Sequence, residues 1–149
     1  MSGFSFNEVN GDLFSVSAEY SMCHCVAADL RMGKGIAVKF RNKFGQVGVL
    51  QQQNVQPGGV GVIKHQQRFI YNLITKQSSW GKPTYALLHS SLLAMREHML
   101  KNNVHKLAMP RIGCGLDGLN WTKVKDMLAE IFQAVNCELL VYNYVPAKA

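Results

Sequence analysis

The stretch Met109-Pro-Arg-Ile-Gly-Cys-Gly-Leu-Asp-Gly-Leu-Asn-Trp121 decides how this chain folds. It follows a short apolar run, His105–Met109, which is typical of a buried strand, and it leads into an amphipathic segment near Trp121, which is typical of a helix. Its glycines surround one carboxylate, Asp117. A glycine-rich turn between a strand and a helix lets backbone N–H groups converge on an anion, although glycines also serve in a plain tight connection. This loop by itself leaves both interpretations open.

A second glycine-rich loop between a strand and a helix lies nearer the start of the chain. The segment Tyr20–Val26 predicts a strand, Ala27–Gly35 a loop, and Ile36–Phe44 a helix with one apolar face. Within the loop, Arg31-Met-Gly-Lys-Gly35 has glycines spaced for the backbone to approach a diphosphate, with a helix start behind them. It is neither a Walker A loop nor the dinucleotide fingerprint, because the residues that those motifs need do not occur at the required spacing.

The rest of the chain alternates between strand and helix patterns. The other predicted elements are an edge strand at Phe4–Val9, a turn at Asn10–Asp12, a short helix at Gln46–Gln53, a loop at Asn54–Gly59, a hairpin of strands Val60–His65 and Arg68–Thr75, a polar loop at Gln77–Pro83, helices at Tyr85–Asn102 and Trp121–Asn136, and a strand at Glu138–Val145. This order predicts one α/β domain over residues 1–149, with helices on both faces of a mixed sheet. Ligands of such sheets bind beyond the carboxyl ends of the strands, so we expect both glycine loops and Lys76 to share one edge. The tail Pro146–Ala149 is predicted to fray.

The composition favours a globular domain with an anionic partner. The chain has 149 residues, 48% of them apolar, a formal net charge of +7 and an isoelectric point of about 9.4. This charge balance fits nucleotides, nucleic acid or acidic surfaces, whereas the spread of the basic residues argues against a dedicated nucleic-acid arm. No apolar run approaches the ~20 residues of a transmembrane helix, and the first residues lack the features of a signal peptide.

The four cysteines, Cys23, Cys25, Cys114 and Cys137, match no zinc-binding spacing. We therefore expect free thiols, no metal site and an intracellular location. A cysteine nucleophile needs a nearby base, and His24 is the local candidate for Cys25. The alternative, in which the thiols near the glycine loops are small buried apolar side chains, fits the residue type better.

Four further positions carry chemistry that the pattern leaves open. Asp12 can accept a hydrogen bond from an exocyclic amine such as that of adenine, or simply complete a turn. Lys76 ends an apolar strand, where a lysine is usually solvated, but a lysine partly desolvated in a cleft becomes a nucleophile toward an anomeric carbon. Asp117 can act as a general acid or base, or satisfy backbone amides. The segment Tyr142-Asn-Tyr144 can offer an aromatic face to a base or pack on the sheet.

Six motifs, in this order, resemble the macrodomains. They are Val9-Asn-Gly-Asp-Leu-Phe14, His24-Cys-Val, Arg31-Met-Gly-Lys-Gly-Ile-Ala37, Tyr71-Asn-Leu-Ile-Thr-Lys76, Lys82-Pro-Thr-Tyr85 and Pro110-Arg-Ile-Gly-Cys-Gly-Leu-Asp-Gly-Leu-Asn-Trp121. The resemblance runs from Val9 to Tyr144 and is to the branch of terminal ADP-ribose protein glycohydrolases, the O-acetyl-ADP-ribose deacetylases. A sister branch that removes ADP-ribose from DNA bases shares the two glycine loops, but Ile-Thr-Lys and Pro-Arg-Ile-Gly-Cys-Gly-Leu-Asp are more similar to the protein-directed branch.

The resemblance implies a three-layer α/β/α macrodomain with a central mixed sheet that binds ADP-ribose. Lys76 matches the family's nucleophile, which attacks the anomeric carbon of the distal ribose, and Asp117 matches the carboxylate that helps resolve the lysyl adduct. Asp12 would hold the adenine amino group, and Tyr144 would stack on adenine or cap the proximal ribose. The implied ligand-binding residues are Asp12, Leu13, Cys25, Arg31, Met32, Gly33, Gly35, Ile36, Ile112, Gly113, Cys114, Gly115, Leu116, Asp117 and Tyr144.

In this resemblance, the loop Arg31–Gly35 would wrap the distal ribose and a phosphate, and the loop Gly113–Leu116 would donate amides to the diphosphate. The implied enzyme removes acyl-linked ADP-ribose from Glu- and Asp-modified proteins and deacylates O-acetyl-ADP-ribose, with no cofactor and no metal. A non-catalytic ADP-ribose reader and a DNA-directed glycohydrolase are the alternatives. One departure is Ala27, which stands where the family commonly has a serine and so removes a hydroxyl near the distal ribose.

The resemblance also sets the expected partners. They are ADP-ribose, ADP-ribosylated proteins and poly(ADP-ribose), with DNA only as a modified substrate and no membrane. We expect a monomer in the nucleus or the cytoplasm.

Overall fold

The structure is a computed structural model that describes residues 3–144 of the chain. Within these residues, six strands form one sheet. The strands are β1 (Phe4–Asn10), β2 (Ser21–Ala27), β3 (Val60–His65), β4 (Arg68–Lys76), β5 (Lys106–Pro110) and β6 (Cys137–Asn143). The helices are α1 (Ile36–Phe44), α2 (Val47–Gln53), α3 (Tyr85–Lys101) and α4 (Trp121–Phe132), with short 3-10 turns at Leu13–Ser15 and Gly115–Asp117. No helix within these residues is long and apolar enough to cross a membrane.

The strand order of the sheet is β1-β6-β5-β2-β4-β3. The hairpin partner β3 runs antiparallel to β4, and every other pair of neighbours is parallel, so the mixed sheet is confirmed. Parallel neighbours need crossover connections, and these carry the helices. Because β2, β4 and β5 are parallel, the loops that follow them all leave from the same edge of the sheet.

Two separate hydrophobic cores show that helices cover both faces of the sheet, as the sequence predicts. On one face, α3 and α4 pack against the strands; their buried residues are Leu88, Leu92, Met95, Met99, Val124, Leu128, Ile131 and Phe132. On the other face, α1 and α2 contribute Phe40, Phe44 and Leu50. The strands supply both cores because successive side chains point to opposite faces. The two cores hold the sheet edge, and the loops on it, in place.

Most element boundaries agree with the sequence prediction, and the last helix is the largest exception. It ends at Phe132 rather than Asn136, because the Val135 N–H donates to the Phe132 carbonyl at 2.9 Å and so closes a tight turn in place of the next helical bond. The predicted edge position of β1 is confirmed. The final strand stops at Asn143, and the predictions for Val145 and the tail lie outside the described residues.

One polar side chain in the core, His24, is buried completely. Its Nε2 donates to Asn72 Oδ1 at 2.6 Å, and its ring stacks on Phe40 with 3.8 Å between the ring centroids. Its Nδ1 has no hydrogen-bond partner in the described part of the chain. Burial lowers the pKa of His24 to about 4, although the hydrogen bond to Asn72 acts in the opposite direction. The folded protein therefore keeps this ring neutral.

The neutral His24 predicts a specific loss of stability in weak acid. Between its unfolded pKa of about 6.5 and its folded pKa of about 4, the unfolded chain binds the proton and the native state does not, so stability falls as pH falls. We expect a decrease in the free energy of unfolding of about 3 kcal/mol between about pH 7 and about pH 4 from this residue. Urea denaturation across this range measures it.

His24→Gln should flatten this pH dependence, and His89→Gln serves as the matched control because the His89 side chain, on α3, makes no hydrogen bond among the described residues. NMR titration of the wild-type histidines provides a second measurement. A normal titration of His24 near its unfolded pKa would contradict the prediction.

Candidate functional site

The two glycine-rich loops contact each other at the carboxyl edge of the sheet. The first loop, residues 28–35, joins β2 to α1, and the second, residues 111–120, joins β5 to α4. A Cβ atom added to Gly35 would lie 3.3 Å from Leu116 Cδ1. The loops therefore share one edge, as predicted, and we call the space that they border the cleft.

An ion pair between Lys76 and Asp117 lies at this edge. Lys76 is the last residue of β4, and Asp117 ends the 3-10 turn of the second loop. Lys76 Nζ donates to Asp117 Oδ1 at 2.8 Å, and the side chains are only 15% and 19% exposed. Ala27, at the end of β2, pairs with Lys76 across the sheet. The two predicted reactive groups are therefore in direct contact and largely shielded from solvent.

The second loop presents free backbone donors. Gly113 and Gly115 both have a φ of 73°, a left-handed conformation that glycine adopts without steric cost. Within the described residues, the N–H groups of Gly115 and Leu116 donate no hydrogen bond. This arrangement leaves amide donors for an anion in the cleft.

The helix that follows the first loop also starts without a cap. Gly35 precedes α1 and provides no side-chain hydrogen bond, and no acidic residue lies in the first turn. By contrast, α3 and α4 are capped by Thr84 and Asn120, whose side chains accept N–H donors. The unused donors and the positive end of the helix dipole at Ile36 favour a negative charge in the cleft.

The first loop is held in a strained conformation. Leu30 and Met32 have φ values of 56° and 48°, which non-glycine residues rarely adopt. The Met32 side chain is buried in the core, the Arg31 N–H donates to Asp29 Oδ1 at 3.1 Å, and Arg41 Nη1 donates to the Arg31 carbonyl at 3.0 Å. Strain of this kind persists only where the surroundings fix it, and it is commonly found at binding sites.

Asp12 and Tyr144 lie at the β6 end of the same edge. The Gly11 N–H donates to the Asn143 carbonyl at 3.0 Å, which places the Asp12 turn beside the end of β6. Asp12 Oδ1 accepts the Phe14 N–H at 2.9 Å, so one carboxylate oxygen completes the turn and the other is left for a ligand. The Tyr144 ring is 60% exposed, with Lys39 Nζ 5.0 Å from its centroid.

Three of the predicted ligand-binding residues are buried, so their side chains belong to the core. They are Leu13, Met32 and Ile112. We expect these positions to meet a ligand through backbone atoms. The other positions on the two loops are exposed or half-buried, except for Gly113, which is buried and has no side chain.

The thiols and the histidine do not form a catalytic pair. Cys25 lies on the α3–α4 face of the sheet, whereas the neighbouring His24 stacks on α1 on the opposite face. Burial, and then the nearby Asp117 charge, raise the pKa of Cys25 to about 12. Burial also raises the pKa of Cys114. Since both thiols stay protonated, they serve as small, half-buried side chains beneath the loops.

The loop Gln77–Pro83 borders the cleft in a way that the sequence does not reveal. Asp29 accepts the Ser79 N–H at 2.7 Å and the Ser79 hydroxyl at 2.9 Å. Trp80 is 74% exposed, and the Arg31 guanidinium carbon lies 4.6 Å from its ring centroid. The one sequence feature that could have indicated this role of the loop was its tryptophan, in a polar segment next to Lys76.

Within residues 3–144, no group of His, Cys, Asp or Glu side chains is arranged to hold a metal ion.

The two left-handed glycines of the second loop allow a matched test of its geometry. A Cβ at Gly113 would lie 2.8 Å from Leu119 Cδ1, whereas a Cβ at Gly115 would meet nothing within 4 Å. We expect Gly115→Ala to cost about 1–2 kcal/mol through its φ alone, and Gly113→Ala to cost about 1–3 kcal/mol more through overpacking. Urea unfolding measures both, and equal costs would contradict the packing described for Gly113.

Comparisons with known proteins assign the family. A family model described as Macro domain matches residues 23–128. The human protein named ADP-ribose glycohydrolase OARD1 is 49% identical over 141 residues, covering 95% of this chain and 93% of that protein. A Thermus aquaticus protein named DNA ADP-ribosyl glycohydrolase is 28% identical over 92% of this chain and 41% of that protein. The solved macrodomain of Thermus aquaticus DarG has a TM-score of 0.84 and 27% identity, covering 94% of this chain and 99% of that one. The chain belongs to the macrodomain family.

Proposed function

We propose that this protein is an ADP-ribose-binding hydrolase that cleaves the acyl linkage between ADP-ribose and Glu or Asp side chains, and that deacylates O-acetyl-ADP-ribose. The observation that carries the proposal is the 2.8 Å contact between Lys76 and Asp117 at the cleft. It is supported by the 49% identity to a protein named ADP-ribose glycohydrolase. Lys76 and Asp117 are the two groups that this chemistry needs.

The arrangement of the cleft suits the parts of ADP-ribose in order. At the β6 end, the free oxygen of Asp12 is suited to the adenine amino group, and the exposed Tyr144 ring is suited to stacking. The free amides of the second loop and the uncapped start of α1 suit the diphosphate. The distal ribose then reaches the ion pair, next to the first loop. In this pose the anomeric carbon faces Lys76 Nζ.

The first chemical step uses the ion pair as a proton-transfer pair. In the ligand-free cleft, the Lys76 side chain is held by its contact with Asp117. Asp117 accepts a proton from Lys76 Nζ and passes it to solvent, and the neutral amine attacks the anomeric carbon. The bond from that carbon to the acyl oxygen breaks, and the carboxylate of the substrate leaves. A carboxylate is a good leaving group, so the amine needs mainly correct placement.

The second step hydrolyses the adduct between Lys76 and the ribose. Asp117 accepts a proton from a water molecule, which adds to the anomeric carbon while the carbon–nitrogen bond breaks. The same proton returns through Asp117 to Lys76 Nζ and restores the ion pair. The products are ADP-ribose and the free carboxylate, and the overall reaction consumes one water molecule.

A DNA-directed glycohydrolase is the second candidate function. It is favoured by the similarity to the Thermus aquaticus protein, which is lower in identity than the similarity to the human protein. Higher activity on an ADP-ribosylated oligonucleotide than on an ADP-ribosylated protein would support it. A non-catalytic reader is disfavoured, because both reactive groups are present and in contact.

The lysine mechanism predicts that Lys76→Ala separates binding from turnover. We expect hydrolysis of O-acetyl-ADP-ribose to fall by about a thousandfold or more, as is typical when a nucleophile is removed, while ADP-ribose still binds in calorimetry. Lys106→Ala is the matched control, because Lys106 also pairs with a carboxylate, Glu19 at 2.9 Å, but at the opposite end of the sheet. Full activity of Lys76→Ala would refute the lysine mechanism.

The role of Asp117 predicts that the reaction of its amide variant, Asp117→Asn, stops at the adduct between Lys76 and the ribose. We expect Asp117→Asn to lower the rate about 100- to 10,000-fold, because asparagine cannot accept the proton of the water molecule in the second step, whereas Lys76 can still lose its proton to solvent in the first. Mass spectrometry of the peptide that contains Lys76 should then detect bound ADP-ribose after mixing with substrate. Unchanged turnover by this variant would remove Asp117 from the mechanism.

A further inference from the structure

The loop that carries Trp80 packs next to the proposed nucleophile. A Cβ added to the following residue, Gly81, would lie 3.8 Å from Lys76 Cβ, so this part of the loop packs on the lysine stem. Trp80 itself is 74% exposed, more than any other large hydrophobic side chain in residues 3–144. Trp80 is therefore an exposed side chain on a loop that packs against Lys76 and contacts the first glycine loop through Arg31.

The loop that carries Trp80 is fixed at several points. Asp29 binds both the N–H and the hydroxyl of Ser79, and the Gly81 N–H donates to the Ser78 carbonyl at 2.9 Å. Lys82 Nζ donates to the Leu116 carbonyl at 3.2 Å and so connects this loop to the second glycine loop. These bonds hold the exposed aromatic ring in one place, which lowers the entropic cost of binding something to it.

Trp80 and Arg31 form a composite surface. The Arg31 guanidinium lies over the indole at 4.6 Å, within the range of a cation–π interaction. Tryptophan and arginine are the residue types that most often dominate the energy of protein–protein contacts. We define the lip as Arg31, Trp80 and Lys82.

We propose that the lip binds the polypeptide segment on either side of the ADP-ribosylated Glu or Asp side chain, and that Trp80 determines specificity for protein substrates. This inference rests on the proposed function. When the distal ribose is at Lys76, the acyl group and everything attached to it must leave the cleft past this side. A small acyl group such as acetyl ends before it reaches the lip, whereas a polypeptide cannot avoid it.

The charge of the lip favours an acidic segment. Arg31 and Lys82 are exposed cations, and the nearby Asp29 carboxylate is occupied by bonds from Ser79 and from the Arg31 N–H. Carboxylates that flank a modified Glu or Asp would therefore be attracted here.

A nucleic-acid strand fits the lip less well. It would need a continuous basic groove with several aromatic side chains to stack its bases. Two cations of α1 are turned elsewhere: Lys39 lies over Tyr144 and Lys43 over Phe14, at the β6 end of the site. Of the α1 cations, Arg41 contacts the first loop beside the lip, through the Arg31 carbonyl, and one such cation does not make a continuous groove.

The test compares two acyl substrates with the same ADP-ribose group. They are a peptide ADP-ribosylated on one glutamate within an acidic sequence, and O-acetyl-ADP-ribose. We expect Trp80→Ala to lower the ratio of kcat/KM for the peptide to kcat/KM for the ester by about tenfold or more, mainly through KM. Trp80→Phe should restore most of the ratio. Leu100→Ala, at a residue of α3 that is 52% exposed, should leave it unchanged.

Three other outcomes would overturn the inference, and each is distinguishable. An unchanged ratio in Trp80→Ala, with an active wild type, would show that the lip does not contact the polypeptide. A loss confined to an ADP-ribosylated oligonucleotide, measured in parallel, would assign the lip to nucleic acid. A wild-type protein that hydrolyses neither acyl substrate would reject the proposed function, and this inference with it.

Discussion

The ion pair between Lys76 and Asp117 is the interaction on which the rest of the site depends. Its partners are 41 positions apart in the chain and belong to different structural units, the end of β4 and the loop after β5. They meet because both strands flank β2 in parallel and therefore end at the same edge. The pair fixes the second glycine loop relative to the sheet, and it places a carboxylate on a lysine whose side chain is only 15% exposed.

The loops around this pair leave polar groups without partners on the protein. The N–H groups of Gly115 and Leu116 and one oxygen of Asp12 have no partner among the described residues, and the start of α1 has no side-chain cap. Together with the left-handed backbone at Leu30 and Met32, they destabilise the free protein. The two cores on either side of the sheet offset this cost. A bound anionic ligand would satisfy the free donors, which explains why the destabilising features are concentrated in one cleft.

The alternation of side chains along β2 separates two chemical environments that are adjacent in sequence. Cys25 lies under the second loop, where burial and Asp117 keep its thiol protonated, while His24 is enclosed on the other face and kept neutral. Neither group competes with Lys76 for the proposed role of nucleophile or with Asp117 for the proposed role of base. The chemistry that we propose is thus restricted to one pair, and the lip adds a surface beyond it.

The sequence by itself determined the order of strands and helices, the two glycine loops and the candidates Lys76 and Asp117, because periodicity, glycine spacing and motif order are local properties. It also indicated that the loops share an edge, since that follows from parallel strands. It did not determine where α4 ends, because the turn at Phe132 depends on how the chain enters β6. Only the tertiary structure decided that Arg31 covers Trp80, that Asp29 holds Ser79 and that Lys82 binds Leu116. These contacts join segments distant in sequence through single side chains, and no local pattern records such contacts.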